Sequence, residues 1–146
     1  VDEIAVPPRD VAEFEKVCRS QGLAVTIQRR AVFEELAVRR DHPTADKVYE
    51  VLRERLPGIS RTTVYRVLDD MVGAGLARRV DHPGAVARFD PVTSRHHHLV
   101  CQRCGTLVDI EDDLVPELPL PRIAGKRPFR ITGYSVNFTG LCAECQ

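Results

Sequence analysis

Four cysteines stand in two identical pairs, Cys101-Gln-Arg-Cys104 and Cys142-Ala-Glu-Cys145. A Cys-x-x-Cys step fits a tight turn that aims two sulfurs at one point, and two such turns complete a tetrahedral four-sulfur shell for zinc. Four sulfurs leave no open coordination position, so the zinc expected here is structural. The long spacing between the pairs makes the site a clip between a mid-chain hairpin and the last residues of the sequence. Just before the first pair lies His96-His97-His98. Alternate residues of a strand share a face, so His96 and His98 point one way and His97 the other. Two imidazoles with Asp90 and Asp109 nearby make a nitrogen-and-oxygen set that suits Fe(II), Mn(II), Zn(II), Ni(II) or Co(II) rather than soft Cu(I). The competing reading is a solvated polar strand. His42 and His82 read as loop and turn histidines, and Cys18, on an apolar helical face, as a small buried hydrophobe.

A second group of residues points to nucleic acid. Arg61, Thr62, Thr63, Tyr65 and Arg66 fall in the first two turns of a helix that Ser60 caps. Arg pairs with guanine, while a Thr methyl or an aromatic ring meets the thymine methyl. Further bases at Arg29-Arg30, Arg39-Arg40 and Arg78-Arg79 are placed to neutralise phosphates. The competing reading is a solvated helix start with two incidental arginines, and the elements around it decide between them.

Apolar residues recur at three- and four-residue spacing over 10–21, 26–39, 45–55 and 60–73; Asp10, Thr26 and Ser60 open the first, second and fourth stretches, and Asp41-His42-Pro43-Thr44 is a break before the third. The period then falls to two. Strands are expected over 76–80 and 85–89, around the turn Asp81-His82-Pro83-Gly84. Helices followed by a hairpin describe a winged helix-turn-helix, which seats its last helix in the DNA major groove. Residues 1–9 read as a loose arm and 90–95 as a hinge. Strands are expected over 96–101, 106–110 and 130–138, with one short helical turn and a loop in the proline-rich 112–128 stretch. The fold expected is therefore α+β. It comprises a winged helix-turn-helix DNA-binding domain over 1–89, the hinge 90–95, and a small α/β dimerisation and metal-binding domain over 96–146 with the four-cysteine zinc.

The 146 residues carry 21 basic and 21 acidic side chains, so bulk charge cannot drive nucleic-acid binding and local clusters must do so. No apolar run approaches the ~18 residues of a membrane span. The first residues lack the apolar core of a secretory signal, so the reading is cytoplasmic, a reducing setting in which disulfides are rare.

Taken together, certain segments resemble the ferric uptake regulator (Fur) family of metal-dependent repressors. They are Gly22-Leu23-Ala24-Val25-Thr26 with Arg29, His42-Pro43-Thr44-Ala45-Asp46, Thr63-Val64-Tyr65-Arg66-Val67-Leu68, Arg88-Phe89-Asp90, His96-x-His98-x-x-Cys101-x-x-Cys104-Gly105 and Cys142-x-x-Cys145. The resemblance implies a two-domain homodimer on double-stranded DNA, with a palindromic operator. It implies structural zinc on Cys101, Cys104, Cys142 and Cys145, and a regulatory Fe(II) or Mn(II) on His42, Asp90, His96, His98 and Asp109. Aspartates at positions 90 and 109 resemble the peroxide-sensing branch, in which a histidine ligand, here His42 or His96, gains an oxygen and repression lifts. Arg95, Pro116 and Tyr134 stand where some members carry ligands of a further site, which the resemblance therefore implies is lost. Ala24 replaces a lysine that reaches the minor groove in several members.

The rival within the class is an iron or manganese sensor without peroxide chemistry. From another class, a zinc hydrolase or deaminase needs a His-x-Glu motif and an open zinc position; neither His96 nor His98 has Glu two residues on. A metal-buffering or purely structural zinc module would not need a helix-turn-helix. The sequence is thus read as a transcription regulator and not an enzyme.

Overall fold

The computed structural model describes residues 10–121 and 129–146. The arm read over 1–9 and the 122–128 part of the proline-rich stretch lie outside the described residues. The chain forms two compact units that meet between Ser94 and Arg95.

In the first unit, helix α1 (Val11–Ser20), α2 (Ile27–Ala37), α3 (Ala45–Arg55) and α4 (Arg61–Gly73) each start at an oxygen-bearing cap. Asp10, Thr26, Thr44 and Ser60 accept from the N–H groups of Glu13, Arg29, Lys47 and Thr63 at 2.7, 3.1, 3.2 and 3.1 Å. Each such cap satisfies an orphan donor and contributes about 0.5–2 kcal/mol. Gly22 takes a left-handed φ of 69° after α1, a conformation glycine adopts without strain. The apolar faces meet in one core. Phe14 stacks on Phe33 at 4.2 Å, and Cys18, Val32, Leu36, Val48, Leu52, Val64, Leu68 and Met71 are buried with them.

Strands β1 (Arg78–Val80) and β2 (Arg88–Asp90) pair antiparallel as a short hairpin, with Arg78 opposite Asp90. The pairing is shorter than the 76–80 and 85–89 runs suggest, because 85–87 belong to the turn side of the hairpin. Asp90 ends β2 and is buried, so the stretch read as a hinge at 90–95 starts inside a strand, and 90–94 belong to the first unit. Thr44 bridges Arg88, and the Phe89 N–H donates to Pro43 O at 2.9 Å. These two contacts sew the loop before α3 onto the hairpin.

The second unit is built on a three-stranded sheet: β3 (His97–Cys101), β4 (Leu107–Ile110) and β5 (Asn137–Gly140), in the order β4-β3-β5. β4 runs antiparallel to β3, and β5 parallel. The strand expected over 130–138 begins only at Asn137, and the proline-rich stretch supplies a single 3-10 turn at Asp112–Leu114. Leu99 sits opposite both Val108 and Phe138, and all three are exposed at 42–52%. Together they form an apolar row across one face of the sheet. Among the described residues, no helix is long and apolar enough to cross a membrane.

Candidate metal centres and nucleic-acid face

The four cysteine sulfurs of the second unit lie within 4.8 Å of one another. Each pair sits in its own turn. The Gly105 N–H donates to Cys101 O at 2.9 Å and the Cys145 N–H to Cys142 O at 2.9 Å, and Gly105 makes the first turn possible with a φ of 72°. Cys104 Sγ and Cys142 Sγ are 3.7 Å apart. A disulfide needs about 2.05 Å, whereas the edge of a tetrahedron with zinc–sulfur bonds of about 2.3 Å is about 3.8 Å. The turns also shape the acidity of the sulfurs. Backbone N–H groups of Cys104 and Cys142 hold the Cys101 thiol down to about 6. The crowded neighbour Cys142, with desolvation, pushes Cys145 up to about 12. Four thiolates at this spacing repel one another, and a divalent cation relieves that repulsion. Donor type, number and spacing all fit zinc in a closed shell.

The histidine strand alternates as its spacing requires. Asp109 lies directly across from His98, and its Oδ1 is 3.4 Å from His96 Nε2 and 3.6 Å from His98 Nε2. The two rings meet edge to face at 4.7 Å. Donors bound at about 2.1 Å to one ion lie about 3.0–3.6 Å apart at right or trigonal angles, so these three side chains have the spacing of one coordination sphere. His97 points the other way. Its Nδ1 accepts from the Val136 N–H at 3.0 Å, which leaves the proton on Nε2 to donate to Asp112 Oδ1 at 2.9 Å. Both ring nitrogens are thereby committed, and His97 is a structural tie. Arg95 completes the network through Asp112 Oδ2 at 2.6 Å and lies over the Tyr134 ring at 5.2 Å. The Arg95 guanidinium beside Asp112 holds its carboxyl below the usual range.

The first unit holds its own pair. His42 Nε2 lies 3.5 Å from Asp90 Oδ2, and both side chains are buried. The Val92 N–H donates to Asp90 Oδ1 at 2.7 Å, which turns Oδ2 toward His42. A strand-end aspartate and a loop histidine 48 positions earlier thus form a second nitrogen-and-oxygen set, with the spacing that a hard or borderline divalent ion takes. The two sets lie in different units.

On α4, Thr62, Tyr65 and Arg66 are exposed. Among the described residues, Arg66 has no ion pair or side-chain hydrogen bond. Arg61 is held differently. It pairs with Asp46, donates to Glu50 Oε1 at 2.9 Å and covers the Tyr49 ring at 4.6 Å. The Tyr65 hydroxyl reaches the same Asp46 carboxylate at 3.4 Å, and Thr63 bonds back to Ser60 at 2.9 Å. Sequence reasoning assigns Asp46 and Glu50 no role at this face: Asp46 stands in a segment that carries the resemblance, but the two together show only as an i, i+4 pair of acids on α3, which is ordinarily a solvated face. The auxiliary arginines also divide. Arg29 is committed to Asp70 at 2.6 Å and to the Ala24 carbonyl, so it ties α2 to α4 instead of facing phosphate. Arg39 is taken by Glu35 and Asp41. Arg40 is exposed and, among the described residues, bonds only the Arg39 carbonyl.

The profile of the ferric uptake regulator family matches residues 20–139. The chain belongs to the ferric uptake regulator family. Among its relatives is the peroxide operon regulator of Bacillus subtilis, 32% identical over 93% of each chain. The peroxide-responsive repressor PerR of Staphylococcus aureus is 33% identical over 88% of this chain and 86% of its own. Among solved structures, the ferric uptake regulator of Pseudomonas aeruginosa with manganese superposes with a TM-score of 0.67 at 26% identity, covering 92% of this chain and 99% of the other. The matched stretch takes in helices α2 to α4, the β1–β2 hairpin and the Cys101–Cys104 turn.

Proposed function

We propose that this Fur-family protein is a metal-dependent transcriptional repressor that senses peroxide, and not an enzyme. The observation that carries the proposal is the pair of donor sets, His42 with Asp90 in one unit and His96, His98 and Asp109 in the other, each at coordination spacing. One regulatory Fe(II) or Mn(II) takes all five side chains. The reading is supported by donor chemistry and by the peroxide regulators among the relatives. Because the ligands come from both units, only arrangements in which the two sets meet are stabilised by metal. If DNA favours the same arrangement, the two ligands must tighten each other by equal factors.

Zinc on Cys101, Cys104, Cys142 and Cys145 is structural in this reading. Thr62, Tyr65 and Arg66 read base edges. Arg61 and Thr63 fix the start of α4 against α3 and Ser60, and Arg61 also lies at the DNA face. Two copies pair through the apolar row Leu99, Val108 and Phe138, so the operator is a palindrome of double-stranded DNA. Such a regulator works in the cytoplasm. An Fe(II) held by these five side chains would supply activation of peroxide: in the net reaction the O–O bond would break, one oxygen would enter a ring C–H bond of a neighbouring imidazole, and the other would leave as water. By the family resemblance, His42 and His96 are the expected targets. An oxygenated imidazole is a poorer donor, its set loosens, and the link between the units is lost.

The test is His98→Ala in the full chain. Operators are first recovered by selecting random duplexes on the parent protein with Mn(II). The variant is expected to keep its zinc and its melting transition and to lose Mn(II)-activated binding to those duplexes. Full Mn(II) activation of the variant would place the regulatory site elsewhere.

A further inference from the structure

His42 carries the one positive φ among the described residues other than glycine, 48°. A left-handed backbone costs a non-glycine residue roughly 1–2 kcal/mol and persists only where neighbouring contacts over-determine it. Those contacts are visible. Arg88 Nη1 donates to the His42 carbonyl at 3.0 Å, the Phe89 N–H donates to the next carbonyl, Pro43 O, at 2.9 Å, and Thr44 bridges Arg88. Pro43 fixes the following φ and has no N–H of its own to offer. The loop that bears His42 is therefore fastened, residue by residue, to the strand that ends in Asp90.

We propose that Arg88 is a positioning residue for the regulatory metal: its guanidinium clamps the His42 carbonyl and so fixes the imidazole at Asp90. This inference rests on the proposed role of His42 and Asp90. Arg88 touches neither the metal nor its donor atoms. It acts on backbone geometry, and the half-site it maintains lies wholly within the first unit. Without the clamp the His42 backbone relaxes toward negative φ, which swings the ring away from Asp90. The donors must then be reordered whenever metal binds, and the affinity falls by that cost. Loss of supports of this kind typically lowers metal affinity 10- to 100-fold. The half-buried Arg88 side chain is long, and the backbone bond from Phe89 remains in any side-chain variant, so the hairpin itself is retained.

The experiment is Mn(II) titration of the full, zinc-loaded chain, with free Mn(II) read by electron paramagnetic resonance, for Arg88→Ala, Arg88→Lys, His42→Ala and Asp90→Asn. Zinc content and thermal melting are measured on each protein. Arg88→Ala is expected to weaken Mn(II) at least about tenfold with zinc and melting unchanged. Arg88→Lys, which keeps one donor on a shorter reach, is expected to recover part of the loss. If His42→Ala and Asp90→Asn weaken Mn(II) but Arg88→Ala binds within twofold of the parent, the clamp is refuted and the site stands. If none of the four changes Mn(II) affinity, the site itself is refuted. Should Arg88→Ala melt early, Arg88→Lys decides: a folded Arg88→Lys protein with parental affinity overturns the proposal, and one with intermediate affinity supports it.

Discussion

Arg66→Ala separates base reading from general attraction to DNA. Arg66 is exposed on α4 and has no side-chain partner among the described residues, and alanine is a good helix former. Its removal leaves no buried group unpaired, so folding stability is expected to stay within about 0.5 kcal/mol of the parent. A bidentate arginine contact to a base pair is worth about 1–3 kcal/mol of discrimination. A dimer on a palindrome makes it twice, for about 2–6 kcal/mol, or from roughly thirtyfold to more than ten-thousandfold in operator affinity. Arg61→Ala is expected to behave differently. It uncovers Asp46 and Glu50, both held by Arg61 in the parent, on the face proposed to meet phosphate. Binding should then weaken on operator and scrambled duplexes alike. The assay is fluorescence anisotropy on both duplexes over a range of KCl concentrations at saturating Mn(II). The reasoning is refuted if Arg66→Ala binds the operator within twofold of the parent, or if it loses the same factor on scrambled DNA.

Three further outcomes follow from the second unit. Asp112 has a lowered folded-state pKa, with Arg95 the first cause, so its contribution to stability is complete above the unfolded value of about 3.9 and is lost as pH falls through the folded value. Asp112→Asn should therefore cost stability at neutral pH and flatten the acid side of the pH–stability curve; an unchanged curve between pH 2 and 5 would contradict this. Phe138→Asp puts a charge in the apolar row with Leu99 and Val108 and should yield monomers in sedimentation at concentrations where the parent is dimeric. Chelation of zinc should abolish amide protection in β3, β4 and β5, because the clip joins the Cys101 turn to the chain after β5; exchange that is unchanged after verified zinc loss would show the sheet to be self-sufficient.

Much of this architecture was legible because the signals are local. The helix starts at Asp10, Thr26 and Ser60, the apolar helical faces and the two Cys-x-x-Cys turns each depend on residues within a few positions, whereas Thr44, read as part of a break, proves to cap α3. The opposed directions of His96 and His98 against His97 follow from strand alternation alone. What was not legible depends on distant partners. The spacing of His42 said nothing of Asp90; resemblance joined them, and the structure sets them 3.5 Å apart. Nothing near Arg88 announces that its guanidinium serves a carbonyl 46 residues earlier. Arg29 reads as a phosphate contact until Asp70, 41 positions on, takes it. Strand ends shifted for a related reason. The pattern over 130–138 is strand-like, but only Asn137–Gly140 finds a neighbour in β3, and without a neighbour an extended run is not a strand.

The central claim is that peroxide acts on the histidine ligands through bound iron. Its most direct test is a peptide mass spectrum of the Fe(II)-loaded protein before and after a brief, low dose of hydrogen peroxide, beside a Mn(II)-loaded control. The expected result is a gain of one oxygen on His42 or His96 in the iron sample alone, with the four-cysteine zinc retained and DNA binding lost. Unmodified histidines in an iron-loaded protein that still binds its operator would contradict peroxide sensing and leave an iron- or manganese-responsive regulator.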